Sequence, residues 1–146
     1  MLKDNSFYRP EELKTLGLKR YGKNVLISRK ASLYSPSNIS LSNNVRIDDF
    51  CILSPYNGYI NIGSYVHISA YAALYGRMGI IMKDFSGISP RAVIFSASDD
   101  FSGNYLTPFP VLPYKYMKIY GGTVIINKYV IIGAGSIMLP NVTIGK

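Results

Sequence analysis

The sequence contains one cysteine, one histidine and no tryptophan among its 146 residues. A single cysteine excludes an internal disulfide, and a single histidine excludes a metal site built from several histidines. The longest apolar run near the end, VIIGAGSIMLP, is interrupted by glycine and far shorter than the roughly 20 residues of a membrane helix. The polar beginning, MLKDNSFYRPEELK, lacks the apolar stretch of a signal peptide. We therefore predict a cytoplasmic protein without a membrane segment or a metal site.

Charged residues are also few, at 16%, whereas hydrophobic residues make up 48% and are sufficient for a buried core in one compact domain. Lysine and arginine outnumber aspartate and glutamate by 16 to 8, which gives a formal charge of +8. This excess favours an anionic partner: a nucleic acid, a phosphate or an anionic cofactor.

Large apolar residues recur every six positions. The first positions of these hexads are Tyr21, Ile27, Leu33, Leu41, Ile47, Leu53, Ile62, Ile68, Leu74, Met82, Ile88, Ile94, Ile126, Ile132 and Met138. Thirteen of the 15 fifth positions hold valine, alanine, serine or cysteine. A large inward residue followed by a small one is the pattern that a tightly bent coil requires. Hexapeptide repeats of this kind are typical of β-helices.

The hexads fall into groups of three, and every insertion follows the third hexad of a group. These insertions add 2, 3, 2 and 26 residues. All of them therefore leave from one corner of a three-sided coil. The pattern predicts an all-β protein, a parallel β-helix of about five triangular coils that stand roughly 24 Å tall at the usual strand spacing.

Two regions depart from the repeat. Residues 1–20 are predicted to form a short helical cap, with Pro10 in its first turn and Gly17 closing it in a left-handed conformation. Residues 21–146 form the β-helix, from which a long aromatic loop, 100–125, protrudes and is expected to pack on a neighbouring subunit. Because a new hexad begins at Ile144, we expect the repeat to be truncated at the C-terminus.

Three segments carry a resemblance: IGSYVHI, DFSGISPRAVIFSASDDFSG and IIGAGSIMLPNVTIG. Together they resemble the left-handed β-helix acyltransferases with hexapeptide repeats, and within them the galactoside and maltose O-acetyltransferase-like branch. The resemblance implies a left-handed coil and a homotrimer with acetyl-CoA between adjacent coil stacks. It also implies transfer of an acetyl group to a hydroxyl or amine of a sugar or nucleotide-sugar, in surface-polysaccharide biosynthesis.

His67 and Asp99 are the predicted catalytic residues. His67 can exchange protons near neutral pH and is a candidate base for the attacking group. Many members of the family carry a histidine after the fourth coil, where this chain has Asp99 and Asp100. One side of the coil is nearly 20 Å long, so His67 and Asp99 should not meet within one chain. If both act, with Asp99 orienting the imidazole, the site lies between subunits. Alternatively, His67 is an exposed corner residue, and the two aspartates cap the start of the loop.

Small residues near the end are predicted to bind CoA, namely Gly133, Ala134 and Ser136. They would let a pantetheine arm lie against the backbone, and the resemblance implies that Ala134 contacts the cofactor. The segment differs from a phosphate-binding loop, since it lacks the Lys-Ser/Thr ending and no helix follows.

Tyr75 and Asp100 are predicted to bind the acceptor sugar. Tyr75 and Arg77 flank a small insertion, where they could line a pocket, although a solvated surface role fits Tyr75, Arg77 and Arg91 better. Cys51 falls at an inward fifth position and is predicted to be a small core residue rather than a nucleophile.

Two other functions are open at this point. A noncatalytic β-helix scaffold or assembly subunit would need no complete site. Nucleic-acid binding follows from the net charge alone, but the basic residues are scattered and form no known motif.

Overall fold

Short strands dominate the chain. The computed structural model describes residues 6–107 and 111–145, so the predicted cap (1–20) and loop (100–125) lie partly outside the described residues. The 3-10 helices of the described part are Leu13–Leu16, Pro36–Asn38 and Tyr114–Tyr116. Its strands are β1 (Leu26–Ile27), β2 (Ser32–Leu33), β3 (Ile39–Leu41), β4 (Arg46–Ile47), β5 (Ile52–Ser54), β6 (Ile60–Ile62), β7 (His67–Ile68), β8 (Ala73–Tyr75), β9 (Ile80–Met82), β10 (Gly87–Ile88), β11 (Val93–Phe95), β12 (Ala97–Asp99), β13 (Ile119–Gly121), β14 (Val124–Ile126), β15 (Ile131–Ile132), β16 (Ile137–Met138) and β17 (Thr143–Ile144).

Fifteen of these strands form three parallel sheets of five strands each, one on each side of the coil. Sheet one contains β1, β4, β7, β10 and β15; sheet two contains β2, β5, β8, β11 and β16; sheet three contains β3, β6, β9, β14 and β17. The predicted all-β parallel β-helix is confirmed. It has about six turns rather than five, and β17, which lies beyond the five predicted triplets, pairs with β14.

The first-position residues of the hexads form the core. In sheet one, Ile27, Ile47 and Ile68 stand in register and are fully buried. Complete burial of such a side chain stabilises the fold by about 1.5–3 kcal/mol. The small fifth-position residue Cys51 is also fully buried, as predicted, and burial raises the pKa of its thiol to about 11. The thiol therefore stays protonated near neutral pH and does not act as a nucleophile.

Two of the three corners are built identically in every turn, with four residues between consecutive strands. At the corner between sheets three and one, the aromatic residues Tyr65, Phe85 and Tyr129 have positive φ angles of 58°, 59° and 65°. Their rings stack with centroids 5.0 and 5.4 Å apart. A left-handed conformation costs a non-glycine residue roughly 1–2 kcal/mol, and ring stacking offsets part of that cost.

The third corner, between sheets two and three, carries all the insertions. Part of the predicted loop after β11 is a strand, because β12 and β13 pair as an antiparallel hairpin with Asp99 opposite Ile119. At the base of this hairpin, a Cβ on Gly121 would lie 2.2 Å from the carbonyl oxygen of Ser96. Glycine is therefore required where the hairpin leaves the coil.

The N-terminal helix is shorter than predicted. It is a four-residue 3-10 helix, Leu13–Leu16, and Gly17 follows it with a φ of 71°. Too few residues are available for a regular α-helix to offset its nucleation. Leu13 is buried at the end of the core, and an ion pair between Glu12 and Arg29 joins the segment to the first coil. No helix within residues 6–107 and 111–145 is long and apolar enough to span a bilayer.

Candidate active site

A pocket of about 470 Å³ lies at the third corner, between the outer face of sheet two and the hairpin. Its volume is in the range that small-molecule sites occupy. The residues that line it are Ser54, Tyr56, Tyr75, Arg77, Phe95, Ala97, Ser98, Asp99, Phe101, Ile119, Leu139 and Pro140. Most of them are apolar or aromatic, and Asp99 and Arg77 are the charged residues of the described lining.

Tyr75 and Phe95 form the floor of the pocket. They are paired in register on the neighbouring strands β8 and β11. Their rings are stacked, with centroids 5.1 Å apart and an angle of 9° between the ring planes. Flat ring surfaces of this kind suit the apolar faces of a sugar or a base. The structure thus places Tyr75, predicted to bind the acceptor, in the wall of a pocket.

Asp99 reaches the pocket because the chain turns away from the coil at Ser96. This serine is fully buried. Its Oγ donates a hydrogen bond to the carbonyl oxygen of Tyr75 (3.0 Å) and accepts one from the backbone N–H of Met78 (2.8 Å). The turn fixes the start of β12, so the half-buried Asp99 is carried by a paired strand rather than by a free loop.

Asp100, next in the chain, has a different environment. The backbone N–H of Ser102 donates to its Oδ1 at 2.7 Å, and Lys118 Nζ lies 3.6 Å from its Oδ2. The hydrogen bonds from Ser102, with the nearby Lys118, lower the pKa of the Asp100 carboxyl. Asp100 is absent from the described lining of the pocket. The turn to Ser102 matches the alternative in which this aspartate caps the start of the loop.

His67 lies on the outer face of sheet one, away from the hairpin that carries Asp99. Its Nε2 is 2.7 Å from Oδ2 of Asp48, a partner that the sequence analysis missed. Arg46 Nε also donates to Asp48, at 2.7 Å. Although partial burial acts in the opposite direction, the hydrogen bonds from Arg46 and His67 lower the pKa of the Asp48 carboxyl. The hexad pattern contained the signal, because His67 on β7 lies opposite Arg46, and Asp48, two residues after Arg46, is its diagonal neighbour.

Gly133, Ala134 and Ser136 form the turn between β15 and β16, at the corner between sheets one and two. Gly133 and Ala134 are exposed, and a Cβ on Gly133 would find ordinary contact, with Ser136 Oγ at 3.6 Å. The backbone is accessible here, as a bound pantetheine arm would require. The structure does not bring this turn into the pocket at the third corner of the same chain.

Comparison with known proteins gives relatives over most of the chain. The dTDP-4-amino-4,6-dideoxy-D-glucose acyltransferase of Escherichia coli is 49% identical over 131 residues, which cover 90% of this chain and 68% of the relative. The chain belongs to the hexapeptide-repeat β-helix acyltransferases. No family model matches it.

Solved structures agree with this membership of the acyltransferase family. AntD, an N-acyltransferase from Bacillus cereus solved with dTDP and 3-hydroxybutyryl-CoA, is 58% identical, with a TM-score of 0.90 over 97% of this chain and 74% of AntD. A serine-to-alanine variant of AntD was solved with dTDP-4-amino-4,6-dideoxyglucose and coenzyme A. It is 57% identical to this chain, with a TM-score of 0.91 over 97% of this chain and 75% of AntD. These relatives are CoA-dependent N-acyltransferases that act on a nucleotide-sugar.

Proposed function

We propose that this chain transfers an acyl group from a CoA thioester to the 4-amino group of a dTDP-linked 4-amino-4,6-dideoxy sugar. The observation that carries the proposal is the pocket at the third corner, in which one carboxylate, Asp99, faces mostly apolar walls. The close likeness to AntD and to the Escherichia coli acyltransferase supports the choice of substrates.

Variants of AntD support Asp99 as a site residue. Structures have been solved in which one serine or one aspartate is replaced, and the aspartate follows the serine by ten positions. In this chain just one serine precedes an aspartate by ten positions, namely Ser89 before Asp99. We assign Asp99 to the acceptor amine and place Ser89 beside the reacting groups.

The positions of these two residues favour a site shared between copies of the chain. Ser89 follows β10 in sheet one, whereas Asp99 belongs to the hairpin beyond sheet two. Two sides of one triangular coil face different directions, so sheet one of one copy must meet the pocket of another for both residues to act together. A homotrimer satisfies this requirement. His67 lies on the same sheet as Ser89 and is the alternative base.

In this proposal the chain supplies binding, orientation and a proton acceptor. Acyl-CoA supplies an acyl group already activated as a thioester. The Asp99 carboxylate accepts a hydrogen bond from the amine and takes its proton as the C–N bond forms and the C–S bond breaks. CoA leaves as its thiolate, which takes up a proton to give the free thiol. The apolar walls exclude water, which would otherwise compete with the amine. The exposed turn at Gly133, Ala134 and Ser136 is the proposed contact for CoA.

Several finer predictions belong to this proposal. The relatives favour amine acylation, and AntD was solved with a longer acyl group than acetyl. The galactoside and maltose O-acetyltransferase branch, the role in surface polysaccharides and the cytoplasmic location stay predictions from the sequence. For Asp100 we adopt the loop-capping alternative in place of the predicted acceptor contact, because Ser102 and Lys118 hold its carboxylate. The scaffold alternative loses support, because the relatives are acyltransferases.

Release of the CoA thiol tests the proposed function directly. Acetyl-CoA and 3-hydroxybutyryl-CoA are each offered with dTDP-4-amino-4,6-dideoxyglucose, with dTDP-glucose and with free amino sugars. We expect thiol release with the first acceptor and a product of increased mass at its nitrogen. Turnover of dTDP-glucose at an equal rate, or no turnover with any acceptor, would contradict the proposal.

A further inference from the structure

We propose that Arg77 is the diphosphate-binding residue of the pocket and that Tyr114, on the protruding loop, positions it. The proposal rests on the proposed function, since it concerns the nucleotide part of the same substrate. It assigns a charge-recognition role to the third corner, in addition to the acceptor chemistry of Asp99.

Aromatic rings hold the guanidinium of Arg77. Its Cζ lies 4.8 Å from the ring centroid of Tyr56 and 5.8 Å from that of Tyr114, both within the range of cation–π attraction. Contacts of this type engage the faces of the planar group, whereas its N–H donors lie in the plane. The planar guanidinium of an arginine beside these rings suits two parallel hydrogen bonds to a phosphate.

The charges of the pocket match those of the proposed substrate. Within the described lining Arg77 is the cation and Asp99 the anion, and the stacked rings of Tyr75 and Phe95 belong to the same lining. A nucleotide-linked amino sugar carries an anionic diphosphate at one end of its sugar and an amine on the ring. Arg77 therefore suits the diphosphate when Asp99 receives the amine.

Tyr114 links this arginine to the loop. Its hydroxyl is hydrogen-bonded to the hydroxyl of Tyr56, which belongs to the second coil, while the Tyr114 side chain lies on the 3-10 helix Tyr114–Tyr116. The same loop contributes Phe101 and Ile119 to the pocket. Loss of the hydrogen bond between the two hydroxyls would release the Tyr114 ring from its place beside Arg77 and would loosen this wall of the pocket.

Binding of thymidine and dTDP to the whole chain tests the role of Arg77. The ratio of their dissociation constants measures recognition of the two phosphates. We expect Arg77→Met to reduce the preference for dTDP by about 10- to 100-fold and to leave thymidine and CoA binding unchanged. Arg77→Lys keeps the positive charge but lacks the planar set of N–H donors, so its ratio of dissociation constants should lie between those of wild type and Arg77→Met. The matched control is Arg91→Met, since Arg91 lies over Tyr71 at 5.5 Å, outside the described lining of the pocket, and should keep the wild-type ratio.

The role of Tyr114 is tested by Tyr114→Phe, which keeps the ring and removes the hydroxyl. We expect a higher KM for the nucleotide-sugar with an unchanged kcat, and a smaller preference for dTDP. The proposal is overturned if both Arg77 variants keep the wild-type ratio of dTDP to thymidine, or if Tyr114→Phe leaves KM unchanged. Wild-type protein that releases no CoA thiol contradicts the proposed function instead, so the two failures are distinguishable.

Discussion

Replacement of Asp99 by asparagine is the most direct test of the acyl-transfer proposal. Asparagine keeps the size of the side chain, so the pairing of Asp99 with Ile119 across the hairpin should persist. It removes the one carboxylate among the described residues that line the pocket. A positioned base contributes about 10²- to 10⁴-fold to a rate, which corresponds to about 3–5 kcal/mol of barrier height. We therefore expect Asp99→Asn to lower kcat/KM for the amino sugar by that factor.

The neighbouring carboxylate provides a matched control. Asp100 is held by the backbone N–H of Ser102 and by Lys118, and a solvent-screened ion pair of this kind contributes little to stability. Asp100→Asn should therefore keep kcat/KM within about threefold of wild type. Both variants are compared by thiol release at saturating acyl-CoA, with the thermal midpoint as a check on folding. An Asp99→Asn enzyme that retains more than a third of the wild-type value, or an Asp100→Asn enzyme that loses as much as Asp99→Asn, would refute the assignment.

Three further predictions concern the scaffold. Ile68→Ala should lower the free energy of unfolding by about 2–5 kcal/mol in a denaturant titration. Replacement of the exposed Ile131 by alanine should change it by about 0.5 kcal/mol or less. Equal effects would contradict the burial of the first-position residues in the core. Gly121→Ala should lower the free energy of unfolding by about 1–3 kcal/mol, because the new Cβ would clash with the backbone of Ser96. The matched Gly133→Ala should lower it by about 0.5 kcal/mol or less. Thermal midpoints that rank the two variants in the opposite order would contradict the close approach of Gly121 to Ser96. Asp48→Asn should cost about 1 kcal/mol at pH 6. Because folding lowers the pKa of Asp48 from its ordinary 3.8, the stabilisation by its carboxylate is present above pH 3.8 and is lost as the pH falls through the pKa of the folded state. A difference in unfolding free energy between wild type and Asp48→Asn that grows as the pH falls through this range would contradict the prediction.

The repeat made the coil predictable because each inward residue, such as Ile47 or Ile68, is selected by the same local geometry. The six-residue repeat therefore predicted the three-sided parallel coil and the corner that carries the insertions. The left-handed aromatic corners were visible in the same frame, since Tyr65, Phe85 and Tyr129 all occupy fourth positions. They were missed because only the first and fifth positions were compared.

The pocket was less predictable, because its walls come from segments outside the repeat. Phe101 and Ile119 reach it only through the antiparallel pairing of β12 with β13, which the hexad frame does not encode. Asp48, the partner of His67, was not predicted, because it is a diagonal neighbour in the adjacent coil and His67 was compared only with Asp99. The helix observed in the N-terminal segment is shorter than predicted. Pro10 and Gly17 favour the start and the end of a helix, but the segment between them is too short for a regular α-helix.

Corner spacing divides this scaffold into a fixed part and an exchangeable part. Four residues join sheet one to sheet two, and sheet three to sheet one, at each turn, whereas the third corner holds segments of very different length. The proposed acceptor pocket lies largely at that third corner. A library of grafted segments there could redirect the enzyme to other amino sugars while the ladder of inward isoleucines and leucines keeps its alignment.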